Sequence, residues 1–425
     1  MDGKPIARHQ FSAEAISMFI DLVLSGPVSQ RAAASILRLL AYWLNWDNAR
    51  LPCANSGRLW MVRVGLYALT CEKQAADDWL WMMDHTVQLG PWKCLAIVGI
   101  RLSVWQSLDR PLCHEDLSLL NLTPMRTANQ EAVAEQLKRT SSEMGAPAAV
   151  LSDEGAELKS GMALYHQQLD SDITQPPHLH DIKHKAAILL KKELQASEIW
   201  DSFVKHLTRT KLSVTLTDLA FLNPPRLRNK ARFMNLECVV KWGCRVLQFI
   251  KAPKDFPDQP IDLDKLELKL GWLREFEKEL GEWEELLAVI AATEKYVRRK
   301  GYHKQAGRDL EKVLQPLAAQ NSSRRLMKRL LDFIEQQSAK LKAGQSVPGH
   351  TEVLESLLGK YKQIQGRHSQ GGMTASLLNI GVVVLKKSPE VIQQALAAVP
   401  VKAVNEWVRS NLGQTVASRR KLALE

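Results

Sequence analysis

The stretch that most restricts the fold is Trp79–Gly99, WLWMMDHTVQLGPWKCLAIVG. Trp79–Met83 is an apolar run too short for an ordinary helix, and Lys93–Ile100, KCLAIVGI, is partly β-branched. Together they predict two buried β-strands joined by a short turn, with one carboxylate, Asp84, set into the first. A carboxylate there has to be paired, hydrogen-bonded or bound to a cation, because leaving it bare in a buried strand is strongly unfavourable. The plainer alternative is a strand-end Asp that caps a turn with His85 and Thr86.

The chain has 425 residues, room for two or three domains, and is 45% hydrophobic and 24% charged, an ordinary globular balance. It holds no apolar run of about 18 residues, so no membrane-spanning helix is expected. The first residues lack the apolar core of a signal peptide. Six scattered cysteines without CxxC spacing read as reduced thiols of a cytoplasmic protein, neither a disulfide frame nor a zinc site. A formal net charge of +11 favours a polyanionic partner.

Taken in order, residues 11–70 read as helical. Phe11–Leu24 stops at Ser25-Gly26-Pro27, and Ser29 is a candidate N-cap for the Arg31-bearing helix that follows. That helix, a turn at LPCANSG, and a helix carrying Arg58 and Arg63 fit a helix-turn-helix; a plain bundle with solvated arginines is the alternative. After the Asp84 hairpin, Glu115–Thr123 predicts a third strand, and Pro124 is expected to open a helix over Met125–Met144. Ala146–Leu151 predicts a fourth strand that places Asp153 at its C-terminal end, where ligand-binding residues of α/β sheets lie. Pro177–Ile182 predicts a fifth strand leading into a helix.

From about Glu198 the pattern is helical, with expected helices over Leu227–Phe249, Glu267–Arg299 and Leu310–Lys342. The segments KAPKDFPDQP and KAGQSVPGH read as linkers. A helix beginning at Thr351 carries Glu355 and Lys362, seven residues apart and so on one side. The expected organisation is a helical DNA-binding region over 1–75, an α/β core over 76–197, a helical insertion over 198–347, a Glu-bearing core helix over 348–372 and a helical tail over 373–425.

Three carboxylates on separate elements, Asp84, Asp153 and Glu355, form the kind of acidic set that holds two Mg²⁺ ions (or Mn²⁺) for phosphodiester chemistry. Glu352 is the competing third acid, though it falls nearer the helix start and has Gly359 at its seven-residue partner position. Glu154 and Glu157 read as solvated acids at a helix start, and Asp77 and Asp78 as turn caps. Asp181, His184 and Lys185 lie at the end of strand five, close to the expected site; zinc on His178, His180 and His184 is the less favoured reading.

The segments DHTVQLG and KCLAIVGI around Asp84, SDEGAEL around Asp153, HDIKHKAA after strand five and EVLESLLGKYK around Glu355 resemble the ribonuclease H-like catalytic domain of bacterial insertion-sequence DDE transposases. SQRAAASILRLL and SGRLWMVRVGLYAL resemble the helix-turn-helix ahead of it. The likeness covers roughly residues 20–190 and 350–365, and Pro348 and Thr351 stand where some relatives carry Tyr and Arg. It implies an α/β fold with a ribonuclease H-like mixed five-stranded sheet interrupted by a large helical insertion. It also implies a DDE triad of Asp84, Asp153 and Glu355 on two Mg²⁺ ions, with Lys362 near the cleaved DNA and Lys360, Arg58, Arg63 and Arg31 as further DNA contacts. The implied activity is hydrolysis at element ends and 3′-hydroxyl joining to target DNA, by a homodimer or larger synaptic complex on double-stranded DNA, associated with the nucleoid and no membrane. An inactive transposase-derived regulator and a structure-specific nuclease of similar fold are the alternatives.

Overall fold

The Asp84 hairpin forms as expected: β1 (Trp79–Leu89) pairs antiparallel with β2 (Trp92–Arg101), and β2 pairs antiparallel with β3 (Ser118–Met125). The computed structural model describes residues 6, 10–46, 50–170, 174–194, 198–226, 236–253, 261–368, 373–414 and 416–425. Met1–Leu179 and Thr351–Glu425 make up one unit, and His180–His350 the other.

β1 also pairs in parallel with β4 (Ala149–Ser152), and β5 (His178–His180) completes a mixed five-stranded sheet in the order β3-β2-β1-β4-β5. The fold is therefore α/β. A parallel pair needs a crossover connection, and α5 (Gln130–Met144) between β3 and β4 supplies it. Alternation along β1 then divides the core. Trp79, Trp81 and Met83 pack with Leu95, Ile97 and Val150 against Val133 and Leu137 of α5 and Leu158 and Met162 of α6 (Ala156–Gln167). Leu80 and Met82, equally buried, take the opposite face. There α14 (Glu352–His368) packs on β1, while α3 (Ala54–Thr70) and α15 (Asn379–Val384) pack on β3. With both faces covered, an uninterrupted apolar run is what β1 requires.

Two local expectations change. Pro124 belongs to β3, opposite Cys94, and the next helix starts five residues beyond the strand at Gln130, where the Asn129 side chain accepts from Ala132 N. An edge strand tolerates Pro because its missing N–H is not needed by a second neighbour. Helices α1 (Ala13–Leu24) and α2 (Gln30–Trp43) form, with Ser29 capping α2 as expected. However, α3 is a core helix, with Trp60–Leu66 buried throughout. It crosses α15 so closely that a Cβ on Gly65 would collide with the Leu378 carbonyl.

Arg63 is accordingly not a surface cation. Its guanidinium lies inside, donating to Leu396 O and Val399 O, each at 2.6 Å, at the C-terminal end of α16 (Pro389–Ala398). It satisfies carbonyls that the helix itself leaves open. Arg31 and Arg58 remain exposed. The C-terminal tail continues with α17 (Val401–Asn411) and α18 (Val416–Leu424).

The second unit is helical: α7 (Ile182–Leu194), α8 (Ile199–Val214), α9 (Leu236–Lys251), α10 (Leu263–Leu270), α11 (Glu277–Lys300), α12 (Ala306–Leu314) and α13 (Asn321–Ala339). The expected long helix over 267–299 is broken by a 3-10 segment, Gly271–Phe276, that turns Leu273 and Phe276 inward. The expected linker at KAGQSVPGH is ordered as β7 (Ser346–Val347), paired with β6 (Tyr302–His303). The start of the helix expected over Leu227–Phe249, and most of KAPKDFPDQP, lie outside the described residues.

Arg63→Ala removes two charge-assisted hydrogen bonds and leaves two carbonyls unsatisfied, an expected loss of about 2–4 kcal/mol. Urea melts of the full chain measure it. Unchanged affinity for duplex DNA is the companion result, since the side chain does not reach the surface.

Candidate functional site

Asp84 follows the apolar run of β1 directly, opposite Ala96 of β2 and half-buried, and its Oδ1 accepts from His85 N at 2.7 Å. The parallel register ends on Met83 opposite Ser152. The next residue on each chain is an aspartate, so Asp84 and Asp153 stand at corresponding positions on neighbouring parallel strands. Asp153 Oδ1 accepts from Gly155 N at 2.9 Å, closing the turn into α6.

Beside it, Ser152 Oγ donates to Asp153 O and lies 2.8 Å from His178 Nε2. With the hydroxyl proton committed to the carbonyl, His178 must present Nε2–H to the serine oxygen. His178 is thereby tied to the sheet as a structural partner of Ser152.

Sequence reasoning did not anticipate the bend beyond Asp84. The β1–β2 register shifts between Thr86 and Gln88, and Val87 between them has φ +48°, a left-handed conformation that β-branched residues strongly disfavour. Thr86 Oγ1 is buried with no hydrogen-bond partner among the described residues. A bulge, a strained Val and an unsatisfied hydroxyl thus cluster within three residues of Asp84, the kind of local cost that collects at functional sites.

Glu355 lies on α14, the helix packed on β1, half-buried in its first turn, where its N–H donates to Thr351 O at 2.9 Å. Glu352, Gly359 and Lys362 share its face, and at Gly359 an added Cβ would meet nothing. Leu354, Leu357, Leu358 and Tyr361 anchor the other side. Lys362 is exposed. Lys360 turns elsewhere, half-buried, with its pKa lowered by burial and then by Lys387; Lys387 itself pairs with Glu115 at 2.6 Å.

Among the described residues, no group of three or more His, Cys, Asp or Glu is assembled so as to hold a metal ion. The structure places Asp84 beside Asp153 and brings the Glu355 helix onto β1, but among the described residues the three carboxylates form no such group. Asp181, His184 and Lys185 belong to the second unit. There Asp181, 1% exposed, accepts from Lys183 N and His184 N at the start of α7, and Lys185 lies over the Phe333 ring. Glu157, read as a solvated acid, pairs with Lys93 at 2.6 Å, which lowers its pKa. Asp78 accepts from Ser103 in α4 (Leu102–Ser107), the short helix directly after β2, and pairs with Arg101.

No protein-family model matches the chain, and no curated protein matches it.

His85, His114 and His166 all have pKa values below their ordinary 6.5, in each case first through burial. At His85 Lys93 adds to the effect, while Glu157 and Asp153 oppose it. Because the fold holds these rings neutral, the unfolded chain binds protons first as pH falls. The stabilisation is complete above 6.5 and is lost as pH drops below it toward the folded values. Thermal melts should therefore show a midpoint that is flat above about pH 7 and falls toward about pH 5, less steeply in His85→Gln. A midpoint level across that window would contradict the buried, neutral assignment.

Proposed function

We propose that the chain is a DDE-type DNA transposase that hydrolyses a phosphodiester at each end of its element and joins the freed 3′-hydroxyl to target DNA. The observation carrying this reading is the pair Asp84 and Asp153, one step beyond the last register pair of two parallel strands, in a sheet of order β3-β2-β1-β4-β5 whose first three strands are antiparallel. That strand order is the one expected of a ribonuclease H-like core. The helix bearing Glu355 packs on the same β1.

The donor chemistry suits a hard divalent cation, since aspartate and glutamate oxygens are what Mg²⁺ and Mn²⁺ prefer. Asp84, Asp153 and Glu355 would hold it. When bound, such ions supply an activated hydroxyl nucleophile and neutralise charge on the leaving oxygen. The chain's own contribution is placement. The β1–β4 register fixes the two aspartates relative to each other, and α14 presents Lys362, exposed and on the Glu355 face, as a cation for a phosphate beside the reacting one. Exposed Arg31 and Arg58 supply contacts to the DNA backbone.

A second reading, a DNA-binding regulator derived from such an enzyme, is favoured by one observation: the three carboxylates are not assembled into a cluster among the described residues. Mn²⁺-dependent nicking and joining on DNA flanking the coding sequence separates the two. Wild type should cut and join. Asp84→Ala, Asp153→Ala and Glu355→Ala should each bind that DNA yet lose about 10³-fold or more of the cutting rate, the equivalent of several kcal/mol of transition-state stabilisation. Activity that survives Glu355→Ala but not Glu352→Ala moves the third acid one turn. Wild type that binds and never cuts is the regulator.

A further inference from the structure

In the second unit, the acid of the run Lys191-Lys192-Glu193 on α7 has a side chain only 4% exposed. Two arginines of α13, one helical turn apart, reach it: Arg325 Nη2 donates to one carboxylate oxygen at 3.1 Å and Arg329 Nη1 to the other at 2.8 Å. The arginine side chains stay 58% and 46% exposed. The carboxylate thus grips both guanidinium groups from beneath while their outer edges face water.

The donor count is what matters. A guanidinium has five N–H donors, and among the described residues each arginine gives this carboxylate one. The rest form planar forks suited to phosphate oxygens. One carboxylate between two guanidiniums leaves net positive charge, and Lys191, Lys192 and Lys328 are exposed on the same two helices. Glu193 is the only acid on α7, and α13 carries none before Asp332. As a mere strut this trio is a poor device, because a buried carboxylate must be desolvated while its exposed partners return little. An apolar residue would join α7 to α13 better.

We propose that the α7–α13 seam is a backbone clamp for duplex DNA, in which Arg325 and Arg329 bind phosphates and Glu193 is the positioning residue that holds the two forks ready. The proposal rests on the transposase reading only in taking DNA as the polymer, and its test is free of cleavage.

Binding of the full chain to a fluorescently labelled duplex of arbitrary sequence is followed by anisotropy in EDTA, over about 50–200 mM salt. The doubly substituted Arg325→Ala/Arg329→Ala chain should lose about two from the log–log salt slope and bind about tenfold or more weakly at the upper salt. Glu193→Gln gives the sharper test. Removing a negative charge should tighten DNA binding if charge alone matters, whereas loss of positioning weakens it severalfold. Arg325→Lys/Arg329→Lys, which keeps charge and loses the forks, should also bind severalfold more weakly.

Glu193→Gln that stays folded and binds as well as wild type or better overturns the proposal. So does an unchanged salt slope in the double alanine variant, or wild type that binds no duplex. If circular dichroism shows Glu193→Gln unfolded, the lysine pair decides, and wild-type affinity there overturns the clamp. Polyglutamate that competes at the seam while the arginine variants bind duplex normally would assign the surface to an acidic protein instead. Failure of Mn²⁺-dependent cutting with the salt effects intact would remove the transposase reading and leave the clamp standing.

Discussion

The first unit depends on the parallel pairing of β1 with β4. Leu80↔Ala149 through Met83↔Ser152 is a short register, yet it fixes which side chains of the sheet meet which helices. A slip of one residue would exchange the two faces of β1. Trp79, Trp81 and Met83 would leave the α5–α6 layer, and Asp84 would be driven toward the apolar cluster around Leu137 and Met162. Each large apolar side chain misplaced in this way forfeits about 1.5–3 kcal/mol of burial, before the cost of the charge. The same register that fills the core therefore keeps the two aspartates in step.

Polar chemistry begins where the apolar register stops. Beyond Met83 and Ser152 come Asp84, His85 and Thr86 on one strand and Asp153 on the other. The surroundings are arranged to tolerate them: a backbone N–H for each aspartate, a Lys93–Glu157 pair across β2 and α6, and a bulge at Val87 that shifts the register of the ladder. Strain at a β-branched residue and a buried hydroxyl without a partner are not what packing alone would choose. Their position beside Asp84 ties the cost of this region to the site rather than to the sheet.

Much of this was legible in the residues, for identifiable reasons. The strands around Asp84 and before Asp153 announced themselves because short β-branched and apolar runs bounded by turn residues have few other solutions. The expectation for Arg63 fails on a point the sequence already contained. Arg58 and Arg63 are five residues apart, about 140° around a helix, so they cannot serve one surface. Moreover, Trp60–Leu66 has almost no polar side to turn outward. Pro124 misled because Pro is a helix-start signal as well as an edge-strand residue, and only the sheet order makes β3 an edge. KAGQSVPGH looked like a linker because it contains Pro and Gly, yet Val347 is fully buried and its segment pairs with Tyr302. Glu193 could not have been found at all, since its partners lie over 130 residues away and no periodicity connects them.

Arginines borne on helices thus play opposite parts, and the distinction lies in where their donors go. Arg63 directs its guanidinium from α3 at carbonyls at the end of α16 and is buried there, so its charge helps hold the tail helices and is withheld from any ligand. Among the described residues, Arg325 and Arg329 spend one donor each on a shared buried carboxylate, and their side chains stay about half exposed. The net charge of +11 counts all three alike. Composition can therefore suggest a polyanionic partner but cannot locate its footprint, because a cation is available to phosphate only in proportion to the hydrogen bonds the fold leaves unmade. On that measure, the surface around Arg325 and Arg329 leaves more positive charge open to a polyanion than α3, the helix the sequence offered first.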